Sequence, residues 1–324
     1  DLDAVIISTG DFQHARLLIE VVKAGKDCYC EKPMANVLQE AKDAYRLVKS
    51  SSQVVQIGTQ GRSSGMNMAA AEAVRSGLLG AISKVEIMSN YHGPRWRGRK
   101  EVSEIREGDT DWKRWLLAKP YRPFDPRAYF EFRLYRDFSS GIPDQWMSHA
   151  IDAVHMILDD YFPRSVVANG GVFVWKDGRE NSDTFQALLT YPKGFLVSYS
   201  TSFGNDFPGG SRYYGVNGTL DLMGVELGGG VKRKPRITGL GGKGAAKIAE
   251  ERPLEASPNG VHHMKNWLEC IRSRKEPNGN IRAGYAHSVA TIMAAQAERT
   301  GKKLFWDAKK EEINNIVRLS PRVV

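Results

Sequence analysis

The first sixty residues alternate between short, continuously apolar runs and longer segments whose apolar positions recur every three or four residues. The run Asp3-Ala4-Val5-Ile6-Ile7-Ser8-Thr9 fits a strand covered on both faces, as in a parallel sheet. It breaks at Gly10-Asp11, where Asp11 is a candidate N-cap for a helix over 14–24. Leu17, Leu18, Val21 and Val22 would give that helix a sheet-facing stripe, and Gly25 would stop it. A second apolar run, Asp27-Cys28-Tyr29-Cys30, leads into Glu31-Lys32-Pro33. A helix over 37–50 and a third strand over 54–58 complete strand, helix, strand, helix, strand, which is a doubly wound α/β unit. Ligands of such sheets bind beyond the carboxyl ends of the strands. Lys32, at the end of the second strand and beside a proline that stiffens the turn, is therefore where a reactive amine would meet one.

After about Arg62 the pattern changes. A helix over 66–76 ends at Gly77, and 81–91 reads as a strand leading out of the first unit. Strand signals then dominate over 165–175, 184–191, 194–202 and 218–223, with Tyr191-Pro192-Lys193-Gly194 as a turn. Between them, His149 and Asp152 lie three apart on one face of a probable helix. His262 and His263 precede a helix with Trp267, Leu268 and Ile271 on its apolar side, and His287 lies on a later helix over 283–300. That histidine spacing does not assign a metal.

Composition narrows the choice. The 324 residues leave room for two cores, and no run approaches the ~18 apolar residues of a membrane span. No signal peptide is visible, so the compartment stays open between cytoplasmic and, with an export signal ahead of this chain, periplasmic. Cys28, Cys30 and Cys270 form neither a disulfide framework nor a metal quartet. The net charge of +9 is concentrated in Arg95-Trp96-Arg97-Gly98-Arg99-Lys100 and Lys232-Arg233-Lys234-Pro235-Arg236. No nucleic-acid motif accompanies these stretches, which favours solvated loops or a rim that attracts an anionic substrate.

The stretch DAVIISTGDFQHARLLIEVVKAGKDCYCEKPMAN resembles the second half of the nucleotide-binding domain of the glucose–fructose oxidoreductase / inositol dehydrogenase (Gfo/Idh/MocA) family. QIGTQGRSS, DWKRWLLAKPYRPFDP, WMSHAIDAVHMIL and HHMKNWLECIRSRKEPNGNIRAGYAHS follow in the family's order. The resemblance implies part of a Rossmann-type domain over 1–62, then an α+β substrate and oligomerisation domain over 63–324 with a large open, mainly antiparallel sheet. It also implies hydride transfer between NAD or NADP and a sugar, polyol or related carbohydrate, in a homo-oligomer without membrane insertion. The family's opening G-x-G-x-x-G turn is absent, so a truncated sequence is expected, with a repurposed short form as the lesser reading. Gly239-Leu240-Gly241-Gly242-Lys243-Gly244 lacks the strand-turn-helix setting of a phosphate cradle.

By the same resemblance, His149 is the acid/base and Lys32 polarises the reacting oxygen. Thr9, His14, Glu31, Lys32 and Pro33 would border the dinucleotide, with Gly10 in place of the usual proline. Gln60, Arg62, Trp115, Gln145 and Asp152 are candidate substrate contacts. The family often carries an aspartate four residues before the histidine. Here that position is Gln145, which cannot take a proton, and Asp144 would substitute only if the turn re-aims it. Two other readings stay open: an NAD-dependent glycosidase that oxidises C3 transiently, and a non-catalytic carbohydrate-binding homologue.

Overall fold

The computed structural model describes residues 2–224, 234–239 and 251–315. The chain opens with β1 (Ala4–Ile7), α1 (His14–Lys23), β2 (Asp27–Cys30), α2 (Leu38–Lys49), β3 (Val55–Ile57) and α3 (Gly65–Arg75). There follow β4 (Ile82–Met88), β5 (Tyr91–His92), α4 (Trp112–Leu116), α5 (Pro126–Phe130) and α6 (Ser148–Leu158). Next come β6 (Ser165–Gly171), β7 (Thr184–Thr190), β8 (Leu196–Ser202), β9 (Gly204–Asn205), β10 (Gly210–Gly215), β11 (Gly218–Asp221), β12 (Arg236–Thr238) and β13 (Arg252–Pro253). The described chain closes with α7 (His263–Ser273), α8 (Ile281–Thr300), β14 (Leu304–Asp307) and β15 (Glu312–Asn314). The expected helix ends at Gly25 and Gly77 stand, each glycine taking a φ near +75° that a side chain would strain.

β1, β2 and β3 form a parallel sheet in that spatial order. Its central strand β2 is buried at every position, and its alternate side chains serve two cores. Cys28 and Cys30 join the large core, whereas Tyr29 packs with Trp267 and Cys270 of α7. The expectation that the first run is covered on both faces fails for β1. It is an edge strand, Ile7 alone of its four residues is buried, and Ile6 is 57% exposed. Asp11 is not the N-cap of α1 either. Residues 11–13 form a 3₁₀ turn, Gln13 takes the cap position, and the Asp11 side chain turns inward.

The second sheet has ten strands in the order β13-β12-β11-β10-β4-β8-β7-β6-β14-β15. Every neighbouring pair is antiparallel except β4 with β8. Burial alternates along β7 and β8, so one face packs on helices and the other stays open. The expected strand over 81–91 is split, β5 pairing instead with β9 in a small separate ladder. Most of the glycine-rich segment over 239–244 and part of the basic segment over 232–236 lie outside the described residues.

α8 ties the two sheets together. It is buried almost all round, as a helix between two layers must be. Gly284 sets the distance of approach, since a Cβ there would lie 2.7 Å from both Ile57 Cγ1 and Met34 Sδ. One turn on, His287 and Ser288 accept the backbone N–H groups of Met34 and Ala35, each at 3.2 Å. The loop after β2 is thus fixed by a helix from the far end of the chain. Replacing Gly284 with Leu is expected to lower stability by about 1–3 kcal/mol through overpacking. The thermal midpoint of the purified variant reads this; an unchanged midpoint would mean α8 can back away from the sheet.

Candidate active site

Lys32 leaves β2 at its carboxyl end, joined to Pro33 by a cis peptide bond. The half-buried side chain crosses to a wide π-helical turn, Pro143–Met147, that precedes α6. There its Nζ donates to the Gln145 carbonyl oxygen at 2.7 Å and to the Gln145 Oε1 at 3.1 Å. Gln145 Nε2 donates in turn to Asp11 Oδ2 at 2.6 Å, an oxygen that also accepts the Ser139 hydroxyl at 2.6 Å. The glutamine is therefore oriented without ambiguity: oxygen toward the ammonium, nitrogen toward the carboxylate. Burial lowers the Lys32 pKa to about 8, partly opposed by the charge of Asp11 and reinforced by that of Arg133.

His149 follows one helical turn after Gln145. It makes no hydrogen bond to any described residue, and burial, with the nearby charge of Lys32, holds its imidazole well below the usual histidine range. It is a neutral base at physiological pH. Asp144 does not take the position of the missing aspartate. It is fully buried with Oδ2 on the Ser140 N–H at 2.6 Å, pointing back along its own turn. Burial, then the proximity of Asp11, pushes its carboxyl up to about 7.

The residues expected around the dinucleotide sit at the carboxyl ends of adjacent parallel strands. His14 stands between the carbonyls of Pro33, at 2.7 Å from Nδ1, and Thr9, at 3.2 Å from Nε2. It clamps the loop after β1 to the loop after β2. Glu31 accepts its neighbour's Lys32 N–H and the Gln60 side-chain amide, both at 3.3 Å. Gly58 makes room for it, since a Cβ there would lie 2.4 Å from Glu31 Oε2. The same Gln60 nitrogen donates to the Tyr29 hydroxyl at 3.1 Å.

The remaining candidates lie farther from the centre. Arg62 Nε donates to both oxygens of Asp152 at 2.9 Å, and both residues are buried, so the pair locks α6 to the turn after β3. Trp115 stacks on Trp112 at 4.9 Å between centroids and meets Phe12 and Phe138 edge-on or tilted at about 5 Å, as part of an aromatic core. His155, His263 and His287 also have internal partners: Tyr191, Ser63 with Ile57, and Met34. His287, which accepts a backbone N–H, is held neutral by burial, its pKa lowered to about 3.

A cleft of about 600 Å³ opens beside Gln145, with Tyr91, Trp96 and Phe130 also on its walls. Sequence reasoning did not find Asp11, Ser139 or Arg133 as members of this centre. The signal for Asp11 was available, because it follows β1 where Lys32 follows β2.

Asp144 gives a pH test. Its carboxyl has a higher pKa folded than unfolded, so its contribution is intact below about pH 4 and is lost as pH rises toward about 7. Asp144→Asn removes that loss while keeping an acceptor for the Ser140 N–H. Its thermal midpoint is expected to gain on the natural protein from about pH 4 to about pH 7 and then level off; a gap independent of pH would contradict a buried acid there.

Two family models match the chain: the oxidoreductase family with NAD-binding Rossmann fold over residues 1–59, and the GFO/IDH/MocA C-terminal domain over 104–221. The inositol 2-dehydrogenase of Gluconacetobacter diazotrophicus is 25% identical over 127 residues, 37% of each chain. The 1,5-anhydro-D-fructose reductase of Ensifer adhaerens is 21% identical over 222 residues, 68% of this chain and 56% of the relative. The chain thus spans about a third to just over half the length of these curated relatives. Among solved structures, the WlbA dehydrogenase from Bordetella pertussis in complex with NADH and UDP-GlcNAcA superposes with a TM-score of 0.69 at 19% identity, covering 95% of this chain and 80% of that one. At that identity the likeness is one of fold. With the family's N-terminal model matched over 1–59 and its C-terminal model over 104–221, the chain belongs to the Gfo/Idh/MocA family of NAD-binding Rossmann-fold oxidoreductases.

Proposed function

We propose that this chain carries the reacting centre of an NAD(P)-dependent oxidoreductase acting on a sugar, polyol or related carbohydrate, with His149 as its acid/base and Lys32 as the cation that polarises the reacting oxygen. The observation that carries the reading is a half-buried ammonium bound to Gln145, a residue lining an aromatic-walled cleft, with a neutral imidazole near enough for the charge of Lys32 to depress it further. Inositol and anhydrofructose enzymes among the relatives support the substrate class.

The residues present fit one end of a dinucleotide. His14 fixes the spacing of the two loops that would flank it, and Thr9 and Glu31 lie on those loops. When bound, NAD or NADP would supply the hydride acceptor. Oxidation of an alcohol requires its hydroxyl proton to leave as hydride departs from the same carbon. His149 is suited to take that proton, because it arrives neutral and without a competing hydrogen bond. Lys32 would hold the oxygen and stabilise its developing negative charge, and in the reverse direction the protonated His149 would return the proton. Gln145 sets the reach of the ammonium and transfers no proton. Arg62, Asp152 and Gln60 act one layer out, by holding α6 and Glu31 in place. The open face of the ten-stranded sheet, where Leu188 and Leu196 are exposed, is where copies of the chain would associate.

Protein purified from its native source is expected to release a nicotinamide dinucleotide on denaturation, read by mass spectrometry. Protein that is empty and fails to bind added NADH or NADPH would overturn the reading. With a panel of carbohydrates, net NADH formation marks a dehydrogenase, whereas aglycone release without net NADH would mark a redox glycosidase. Lys32→Met should lower kcat by about 10²–10³, and His149→Asn by about 10²–10⁴. The rate should also fall as pH rises through about 8, where Lys32 loses its ammonium proton. Lys32→Arg should move that limb upward, since a guanidinium stays charged; an unmoved limb would assign the titration to another group.

A further inference from the structure

We propose that the cleft beside Gln145 selects carbohydrates bearing an anionic group, a carboxylate or a phosphate, which Arg95, Arg99 and Arg133 would hold. The inference rests on the reading of this cleft as the substrate site. Four guanidinium side chains line it, those of Arg95, Arg97, Arg99 and Arg133, against the single carboxylate of Glu131. That carboxylate is already committed. It accepts from Arg97 Nη1, from the Gly98 N–H at 2.8 Å and from the Arg99 N–H at 3.4 Å. Arg97 is committed with it, since its other nitrogens reach the Asp177 carbonyl and, at 3.5 Å, the Asp177 carboxylate. Glu131 and Arg97 are therefore wall, and three cations remain.

Arg95 and Arg99 are exposed at the rim, and Arg133 stands deeper. Arg133 is two-thirds buried, its Cζ over the Phe132 ring at 4.5 Å. Its Nε faces Asp11 Oδ1 at 3.7 Å, too far for a hydrogen bond, and both atoms are buried without a hydrogen-bond partner. Asp11 is itself engaged by Gln145 and Ser139. Arg95 lies over the Tyr91 ring at 5.1 Å and the Arg99 side chain has no ion pair, each lacking a carboxylate partner among the described residues. A guanidinium stacked on a ring keeps its hydrogen-bonding edge free, and that edge matches a carboxylate or phosphate in two-point contact. A neutral polyol would leave this surplus positive charge unmatched. The cleft volume of about 600 Å³ suits a sugar with such a substituent.

The test is binding to the full chain, followed by calorimetry and by the fluorescence of Trp96 on the cleft wall. The probes are D-glucuronate, D-glucose 6-phosphate, inorganic phosphate and D-glucose. One anionic sugar is expected to bind about tenfold or more tighter than glucose, and the Arg95→Gln/Arg99→Gln double variant to lose about that factor. The advantage should shrink with added salt. Glucuronate binding alone identifies a carboxylate, glucose 6-phosphate binding alone a phosphate; inorganic phosphate that competes for the site supports the second. Glucose binding as tightly as both anionic sugars, no binding of any probe, or anion binding unaffected by the double variant would each overturn the proposal. Turnover of neutral sugars with NADH formation would leave the redox reading standing while this one fell. Anionic sugar binding to a protein that never engages NAD would do the reverse.

Discussion

Keeping the Lys32 ammonium partly out of water is the constraint around which the centre is built. Desolvation outweighs the attraction of Asp11, so the amine titrates near pH 8 and stays mainly charged at neutrality, although less firmly than a surface lysine. Two oxygens of Gln145 replace lost water, and the compensating carboxylate stands one residue behind them. Such an arrangement tolerates little positional error. Each neighbour of Lys32 in the loop is accordingly tied down: Pro33 through its carbonyl to His14, Met34 to His287, and Ala35 to Ser288. The buried, neutral histidine at 287 is best understood as part of that loop, since its free lone pair satisfies a backbone N–H that would otherwise be orphaned.

The other half of the centre depends on a departure from α-helical geometry. In the turn before α6 the Ser148 N–H bonds the Pro143 carbonyl five residues back, so the backbone is wider than an α-helix there. The Asp144 carbonyl meets the Ser148 hydroxyl at 2.5 Å, and the Gln145 carbonyl meets Lys32. A widened turn at the head of a helix thus presents a backbone oxygen and a side-chain oxygen from one residue to the same ammonium. The buried Arg62–Asp152 pair holds the following turn against the loop after β3, and so fixes where His149 projects.

Much of the scaffold was readable because apolar periodicity and glycine stops act locally. The runs at 27–30 and 54–58, the stripe of α1 and the stops at Gly25 and Gly77 follow from such rules. Lys32 was readable for a topological reason, the end of a parallel strand. What escaped was non-local. Asp11 looks like a helix cap because its neighbours in sequence suggest one, yet its partners are Ser139 and Gln145, more than a hundred residues away. Arg62 and Asp152 look like free polar groups until the fold brings them together. Trp115 reads equally as a ligand contact or as core, and its aromatic neighbours show that it packs in a core. The exposed face of β1 was likewise invisible, since a strand's sequence does not record what packs against it.

The placement of charge explains why a glutamine at position 145 need not disable the centre. An aspartate there would pair directly with Lys32, favour its charged form and neutralise its pull on a substrate oxygen. With Gln145 between them, the carboxylate of Asp11 supports the amide, and Lys32 is met by oxygens of Gln145 instead of by a carboxylate in direct contact. The charge of Arg133 lowers the pKa of Lys32 further. On the proposed reading, His149 would carry the proton and Lys32 would supply the fixed positive charge. A positively biased cleft that binds an anionic substrate would restore the balance upon binding, so the charge missing at position 145 would be supplied by the ligand.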